Sequence, residues 1–107
     1  MEIWCVKVAY RYGDEAPSAE LACDVKLCMS EKDAINELNR IIRKDWTSEI
    51  EIDGETKSLA DLRGMQQEED SRKYSEWYYS EDGKLAWQQC GSSFSYRGEV
   101  VKLEVPS

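Results

Sequence analysis

The stretch AELACDVKLCMSEKDAINELNRIIRKDW, residues 19–46, decides the fold because it predicts a strand that leads directly into a helix. Apolar and polar residues alternate over its first nine positions. Alternation with a period of two is typical of a strand that buries one face. We therefore expect the apolar set to lie in the core, and this set consists of Leu21, Cys23, Val25 and Leu27.

A helix is predicted over about residues 30–46. Ser30 is followed three positions later by Asp33, a variant of the capping box in which side-chain oxygens accept hydrogen bonds from first-turn amides. Beyond this cap, apolar residues recur at intervals of three and four, which is typical of an amphipathic helix that packs on a sheet. The apolar stripe consists of Ala34, Ile35, Leu38, Ile41, Ile42 and Trp46.

A second amphipathic strand precedes this stretch. Its apolar positions are Trp4, Val6, Val8, Tyr10 and Tyr12, and the segment GDEAP at 13–17 predicts a hairpin turn. Pairing residues whose numbers sum to 31 sets Val6 opposite Val25 and brings the apolar faces of both strands together. Sums of 29 and 33 have the same effect, whereas an even sum places the two apolar sets on opposite faces of the sheet. We therefore expect an odd sum and one shared core.

The middle of the chain predicts a small ribbon and a short helix. Residues 49–56 alternate around an Asp-Gly pair, which is a common hairpin turn. Ser58 and Asp61 predict the start of a short helix over about 58–66. The buried side of this helix is expected to consist of Leu59, Leu62 and Met65.

Two further strands are predicted over 74–79 and 84–90. The turn between them is expected to hold Gly83 in the left-handed conformation. This register sets Trp77 opposite Trp87, and cross-strand aromatic pairs of this kind stabilise a hairpin.

The last predicted strand region covers 94–105, with a turn at Arg97-Gly98. The order of elements predicts a single α+β domain over 1–107. In this fold the main helix and the short second helix pack on one face of a largely antiparallel sheet.

The composition argues against several classes of function. The 107-residue chain has 14 Lys and Arg against 22 Asp and Glu, a formal net charge of −8. This charge repels phosphate backbones and anionic lipids, so we expect neither direct nucleic-acid binding nor membrane binding. The sequence has no signal-peptide pattern and no apolar run of membrane-spanning length, which favours a cytoplasmic location. Its four cysteines form no CxxC pair and are expected to be reduced.

The sequence contains no recognisable catalytic constellation. The chain has no histidine, which removes the imidazole base that usually activates a nucleophilic Ser or Cys. The alternating acids Glu49, Glu51, Asp53 and Glu55 could ligate calcium, but the spaced acidic loop typical of a calcium site is missing. The glycines match no phosphate-binding motif. We therefore expect no enzyme activity, no cofactor and no metal.

Exposed acids and one aromatic side chain are the candidate binding residues. Consecutive side chains of a strand point in opposite directions, so within Trp77-Tyr78-Tyr79 the ring of Tyr78 is expected to point away from the core. An exposed aromatic ring surrounded by acids is typical of a protein-binding surface. The candidate partner-binding residues are Glu49, Glu51, Asp53, Glu55, Glu68, Glu69, Asp70 and Tyr78.

Two functional hypotheses remain open. The first is a small acidic protein-binding module that stoichiometrically inhibits a basic or nucleic-acid-handling protein, because excess negative charge raises the encounter rate with a positive partner. Immunity proteins and phage anti-defence proteins share this short, acidic, motif-free profile, which is a likeness of composition only. The alternative is a self-associating structural or accessory domain, a homodimer in which exposed strand edges and an aromatic patch meet another copy. Solubility alone also accounts for the charge.

Overall fold

The computed structural model describes residues 2–12, 20–44, 49–67, 76–90 and 94–104. In chain order the elements are β1 (Glu2–Tyr12), β2 (Glu20–Cys28), α1 (Glu31–Lys44), β3 (Glu49–Ile52), β4 (Glu55–Ser58), a 3-10 helix (Leu59–Leu62), β5 (Glu76–Tyr79), β6 (Leu85–Cys90) and β7 (Phe94–Glu104). Five strands form an antiparallel sheet in the order β2-β1-β7-β6-β5, and β3 pairs with β4 in a separate ribbon. The predicted α+β class is therefore confirmed.

Helix α1 begins where the sequence predicts. The Asp33 amide donates to Ser30 Oγ at 3.1 Å, and the Ala34 amide donates to the Ser30 carbonyl oxygen at 3.1 Å. The helix ends at Lys44, and Trp46 lies outside the described residues. Its buried residues are Ala34, Leu38, Ile41 and Ile42, whereas Ile35 is half-buried.

The helix packs on β1 and β7, and Gly98 of β7 permits its close approach. A Cβ atom at Gly98 would lie 2.7 Å from Leu38 Cδ1 and 3.0 Å from the Tyr96 hydroxyl oxygen. β7 runs through this position and pairs continuously with β1. The predicted turn at Arg97-Gly98 is therefore wrong, because the glycine makes room for a helix side chain and not for a chain reversal.

The register of β1 and β2 differs from the expectation. The numbers of paired residues sum to 32, so that Val6 lies opposite Lys26 and Cys5 lies opposite Leu27. The predicted core positions of Val25 and Leu27 are wrong, since these side chains are 60% and 59% exposed on the face of the sheet turned away from α1. We call this face the open face. Val6 and Val8 are buried beneath the helix as predicted, and the side chains of Leu21 and Cys23 lie outside the described residues.

The even register follows from apolar residues on both faces of β1. On the open face Cys5 is only 2% exposed, and its neighbours across the sheet are Leu27 of β2 and Val101 of β7. Leu27 thus flanks Cys5 on the open face, while Lys26 lies on the helix side. There Lys26 Nζ forms a 3.1 Å salt bridge with Glu37 of α1.

The hairpin of β5 and β6 is also shifted by one residue. Trp77 lies opposite Gln88, and Tyr78 lies opposite Trp87. The predicted pairing of Trp77 with Trp87 is therefore wrong. Trp77 faces the core at 2% exposed, whereas the Trp87 position lies on the open face.

The loop between β5 and β6 explains this shift. The Ser80 amide donates to the Leu85 carbonyl oxygen at 2.8 Å, which closes a loop one residue longer than expected. Ser80 Oγ accepts hydrogen bonds from the amides of Lys84 and Leu85 at 3.1 and 3.0 Å. Gly83 has a φ of 76°, the left-handed conformation that the sequence predicts.

The second helix is shorter than predicted. It is a 3-10 helix limited to Leu59–Leu62, and both of its leucines are buried as expected. Ser58 Oγ donates to Asp61 Oδ2 at 2.8 Å, and the Ser58 side chain does not cap the backbone. Met65 follows the end of the helix and is 43% exposed, so its predicted burial is wrong.

Candidate functional site

The predicted acidic residues that the structure describes lie on the β3–β4 ribbon. Glu51, Asp53 and Glu55 are exposed, and none of them forms a salt bridge within the described ranges. The predicted Asp-Gly turn is present, with φ values of 52° and 80°. Glu55 pairs with Ile52 and so lies on a different face of the ribbon from Glu51. Outside the described residues lie the side chain of Glu49 and residues Glu68, Glu69 and Asp70.

Tyr78 occupies the position that the sequence predicts for an exposed anchor. It is 43% exposed on the open face of β5. Its ring stacks on that of Trp87, with a centroid distance of 6.4 Å and an interplanar angle of 26°. Sequence reasoning missed Trp87 as a member of this site, because it placed this ring on the core face opposite Trp77.

A groove of about 500 Å³ adjoins the stacked pair. It lies where the chain after the 3-10 helix runs along the outer edge of β5. The groove is lined by Met65, Gln66, Gln67, Glu76, Trp77, Tyr78 and Trp87. We call it the aromatic groove.

The aromatic groove combines two chemistries that favour a cation. The faces of Tyr78 and Trp87 carry the negative part of the ring quadrupole, which attracts an ammonium or guanidinium group. The exposed carboxylate of Glu76 lies in the same lining and supplies a full negative charge. The groove can therefore accept a Lys or Arg side chain of a partner, a role that the spacing of residues alone does not reveal.

A second exposed apolar cluster lies at the other side of the sheet. It consists of Val25, Leu27, Met29 and Leu103, which are 60%, 59%, 71% and 37% exposed. We call it the apolar corner. Because β2 and β5 are opposite edges of the five-stranded sheet, the corner at β2 and the groove at β5 are about 19 Å apart across the strands.

The most strongly lowered pKa among the described residues belongs to a carboxylate in a structural ion pair. A hydrogen bond from Arg40, followed by one from Lys26, lowers the pKa of Glu37 to about 2. Arg40 approaches Glu37 Oε1 to 2.6 Å, and Lys26 approaches the same oxygen to 3.1 Å. Glu37 thus joins α1 to the edge strand β2, and it stays ionised at neutral pH.

The described thiols lack the environment of a nucleophile. Cys5 and Cys28 are free thiols, and the side chains of Cys23 and Cys90 lie outside the described residues. Burial, and then the nearby Glu37 carboxylate, raise the pKa of the Cys28 thiol. A raised pKa keeps the thiol protonated and unreactive at neutral pH.

The described residues contain neither a metal-binding cluster nor a membrane-spanning helix. No group of three acidic or thiol side chains there could hold a metal ion. No helix in the described ranges is long and apolar enough to cross a membrane. No protein family, curated protein or solved structure matches the chain.

Proposed function

We propose that the protein is a small acidic protein-binding module without catalytic activity, which inhibits a basic, nucleic-acid-handling protein by binding it stoichiometrically. The observation that carries this proposal is the aromatic groove, in which the exposed Tyr78 ring stacks on the half-buried Trp87 and Glu76 belongs to the same lining. The acidic run Glu68, Glu69 and Asp70 follows Gln67 of the groove directly in the sequence.

Binding would proceed from long-range attraction to a local contact. The net charge of −8 raises the encounter rate with a basic surface. A Lys or Arg side chain of the partner then enters the groove against Tyr78 and Trp87, a contact worth about 0.5–2 kcal/mol. The unpaired carboxylates of the ribbon extend the acidic surface that meets the partner.

Capture from lysate at low and moderate salt tests this function. The wild-type protein is expected to retain a nucleic-acid-binding protein at low salt and to lose it as salt rises, because screening weakens the attraction. Glu76→Lys and Tyr78→Ala should each weaken capture, and the change of Glu68, Glu69 and Asp70 to Lys should abolish it. Glu81→Lys is the matched control, because it makes the same charge change at an exposed residue outside the groove lining. Equal capture by the wild type and Glu76→Lys would reject the groove as the binding site.

The second candidate function is self-association. The observation that favours it is the apolar corner, since Val25 and Leu27 expose most of their surface on an edge strand. Exposed apolar residues on a sheet edge favour pairing with another chain.

A further inference from the structure

The two edge strands of the five-stranded sheet differ in whether their outward-facing backbone groups are hydrogen-bonded. At β5, the Gly64 amide donates to the Tyr79 carbonyl oxygen at 3.1 Å, and the Trp77 amide donates to Gln67 Oε1 at 3.2 Å. At the other edge, β2 pairs with β1 along its whole length, and no strand in the described ranges pairs with its outer side. Unpaired amide and carbonyl groups on an edge are a template for another strand.

β2 has few of the features that usually protect an edge strand. It has nine residues, contains no proline and pairs with β1 without a bulge. A lysine at an edge normally discourages pairing. Lys26, however, points to the helix side of the sheet, where it shares the Glu37 carboxylate with Arg40. The open face of this edge therefore presents the exposed apolar side chains of Val25 and Leu27.

Two-fold symmetry restricts how β2 can pair with a copy of itself. Residues directly opposite each other in an antiparallel pair both point their amide and carbonyl groups toward the partner, or both point them away. These orientations alternate along a strand. Because both strands of the dimer are the same segment, two paired residues must both have even numbers or both have odd numbers, and their sum is even. Near the middle of β2, the residue on the symmetry axis is then Cys23, Asp24, Val25 or Lys26.

Charge complementarity selects one of these registers. An axis at Asp24 or Lys26 sets that residue opposite its own copy, and directly opposed like charges are destabilising. An axis at Cys23 leaves Leu27 without a partner residue in β2. An axis at Val25 sets Lys26 opposite Asp24 of the second copy, and symmetry makes this pair twice.

We infer that the protein forms a two-fold symmetric dimer in which residues 22–28 of β2 pair antiparallel with the same strand of a second copy, with Val25 on the axis. The dimer has a continuous ten-stranded sheet, and the Val25 side chains of both copies meet on its open face. This inference rests on the self-association candidate and adds the strand and the register. It leaves the aromatic groove at the opposite edge free for a basic partner.

Cysteine cross-linking tests the register. In a background with the four native cysteines changed to Ala, Val25→Cys places two thiols at the axis, where Cα atoms are about 4.5–5.5 Å apart, within the range that a disulfide spans. Leu27→Cys is the matched control, because its two copies lie about 13 Å apart along the strands. Mild oxidation should convert Val25→Cys to a covalent dimer and leave Leu27→Cys monomeric. Cross-linking of Leu27→Cys without Val25→Cys would overturn the register.

Sedimentation of the chain with its native cysteines tests self-association separately from the register. The mass of the wild type should rise from monomer to dimer between micromolar and millimolar concentration, and Tyr78→Glu should behave identically because Tyr78 lies on β5. Dissociation of the dimer by Tyr78→Glu would overturn the β2 interface and leave self-association standing. A monomer at every concentration would overturn both, without bearing on capture of a basic partner. Amide hydrogen exchange tests the interface without any cysteine substitution. In the wild-type dimer, exchange should slow at alternate residues of β2, because their outward-facing amides become hydrogen-bonded. Unchanged exchange at these residues would contradict the proposed interface.

Discussion

At the residue scale, the fold depends on the contact of Leu38 with Gly98. Leu38 is fully buried, and its Cδ1 atom takes the space that a Cβ atom at Gly98 would need. Helix and sheet approach so closely at this point that either residue can be replaced only at a cost in stability. The contact therefore sets the height of α1 above β7.

Leu38→Ala should lower the free energy of unfolding by about 2–5 kcal/mol, because it leaves a cavity beneath the helix. Urea denaturation measures this loss. Asn36→Ala is the control on the same helix, since Asn36 is exposed and its replacement should change stability by no more than about 0.5 kcal/mol. A loss below about 1 kcal/mol for Leu38→Ala would contradict its place in the core.

Gly98→Ala should lower the free energy of unfolding by about 1–3 kcal/mol, because the new methyl group collides with Leu38. In the double variant with Leu38→Ala, the shortened side chain gives the methyl group room. The double variant should therefore lose less stability than the two single variants added together, as measured by a double-mutant cycle in urea. Strict additivity would show that the two residues do not compete for space.

The Glu37 carboxylate gives the protein a defined acid sensitivity. Its pKa in the folded state is about 2, below the ordinary value of 4.5, so its ion pairs stabilise the fold above pH 4.5. This contribution is lost as the pH falls from 4.5 toward 2. The unfolding free energy of Glu37→Gln should therefore fall less steeply than that of the wild type over this range.

NMR titration of the side-chain carboxyl carbons checks whether Arg40 causes the lowered pKa of Glu37. Arg40→Ala should raise the pKa of Glu37 toward its ordinary value, because Arg40 donates the dominant hydrogen bond. Arg43→Ala is the control, since Arg43 pairs with Asp61 and not with Glu37. An equal rise in both variants would contradict the assignment of the shift to Arg40.

At the element scale, the loop between β5 and β6 is held by the Ser80 hydroxyl, which accepts hydrogen bonds from the amides of Lys84 and Leu85. Ser80→Ala should lower the free energy of unfolding by about 1–2 kcal/mol, because the Leu85 amide loses its acceptor and the Lys84 amide keeps only Asp82 Oδ1. Ser80→Thr keeps the hydroxyl and should retain most of the stability. Thermal denaturation of the wild type and the two variants measures these stabilities. Equal losses of stability in Ser80→Ala and Ser80→Thr would show that the hydroxyl does not stabilise the loop.

Local sequence patterns predict the helices and strands better than they predict which face of each element is buried. The capping residues and the stripe of α1 were identified because both depend on neighbours in the sequence. The alternation in β2 was also recognised, but a period of two distinguishes two faces without showing which one the helix covers. Gly98 was assigned to a turn because its reason, the side chain of Leu38, lies far away in the sequence.

The same limit applies to the candidate site. The exposure of Tyr78 was predicted, since three consecutive aromatic residues on a strand cannot all face the core. Its contact with Trp87 was not, because it depends on a loop that is one residue longer than the expected turn. Alternation along the strand places Glu76 on the same face as Tyr78, but the groove that both residues line also needs Met65 and Gln67, which only the fold brings to this edge.

At the scale of the whole molecule, the aromatic groove and the β2 part of the apolar corner lie at opposite edges of one sheet. The aromatic groove at β5 has a carboxylate in its lining and suits a basic partner, whereas the apolar corner at β2 suits a second copy. The net charge of −8 opposes self-association through most of the surface. The register that we propose for β2 lessens this repulsion, because it sets Lys26 of each copy opposite position 24, an aspartate, of the other.

Sedimentation equilibrium of the wild type and Val25→Lys, combined with urea denaturation of both, tests the central claim that Val25 is an exposed interface residue. The account predicts that the wild type dimerises with rising concentration. It also predicts that Val25→Lys remains a monomer, because two like charges then oppose each other at the axis. The unfolding free energy of the Val25→Lys monomer should change by less than about 1 kcal/mol. A loss of several kcal/mol in Val25→Lys would place Val25 in the core, and a dimer that survives the substitution would place the interface elsewhere.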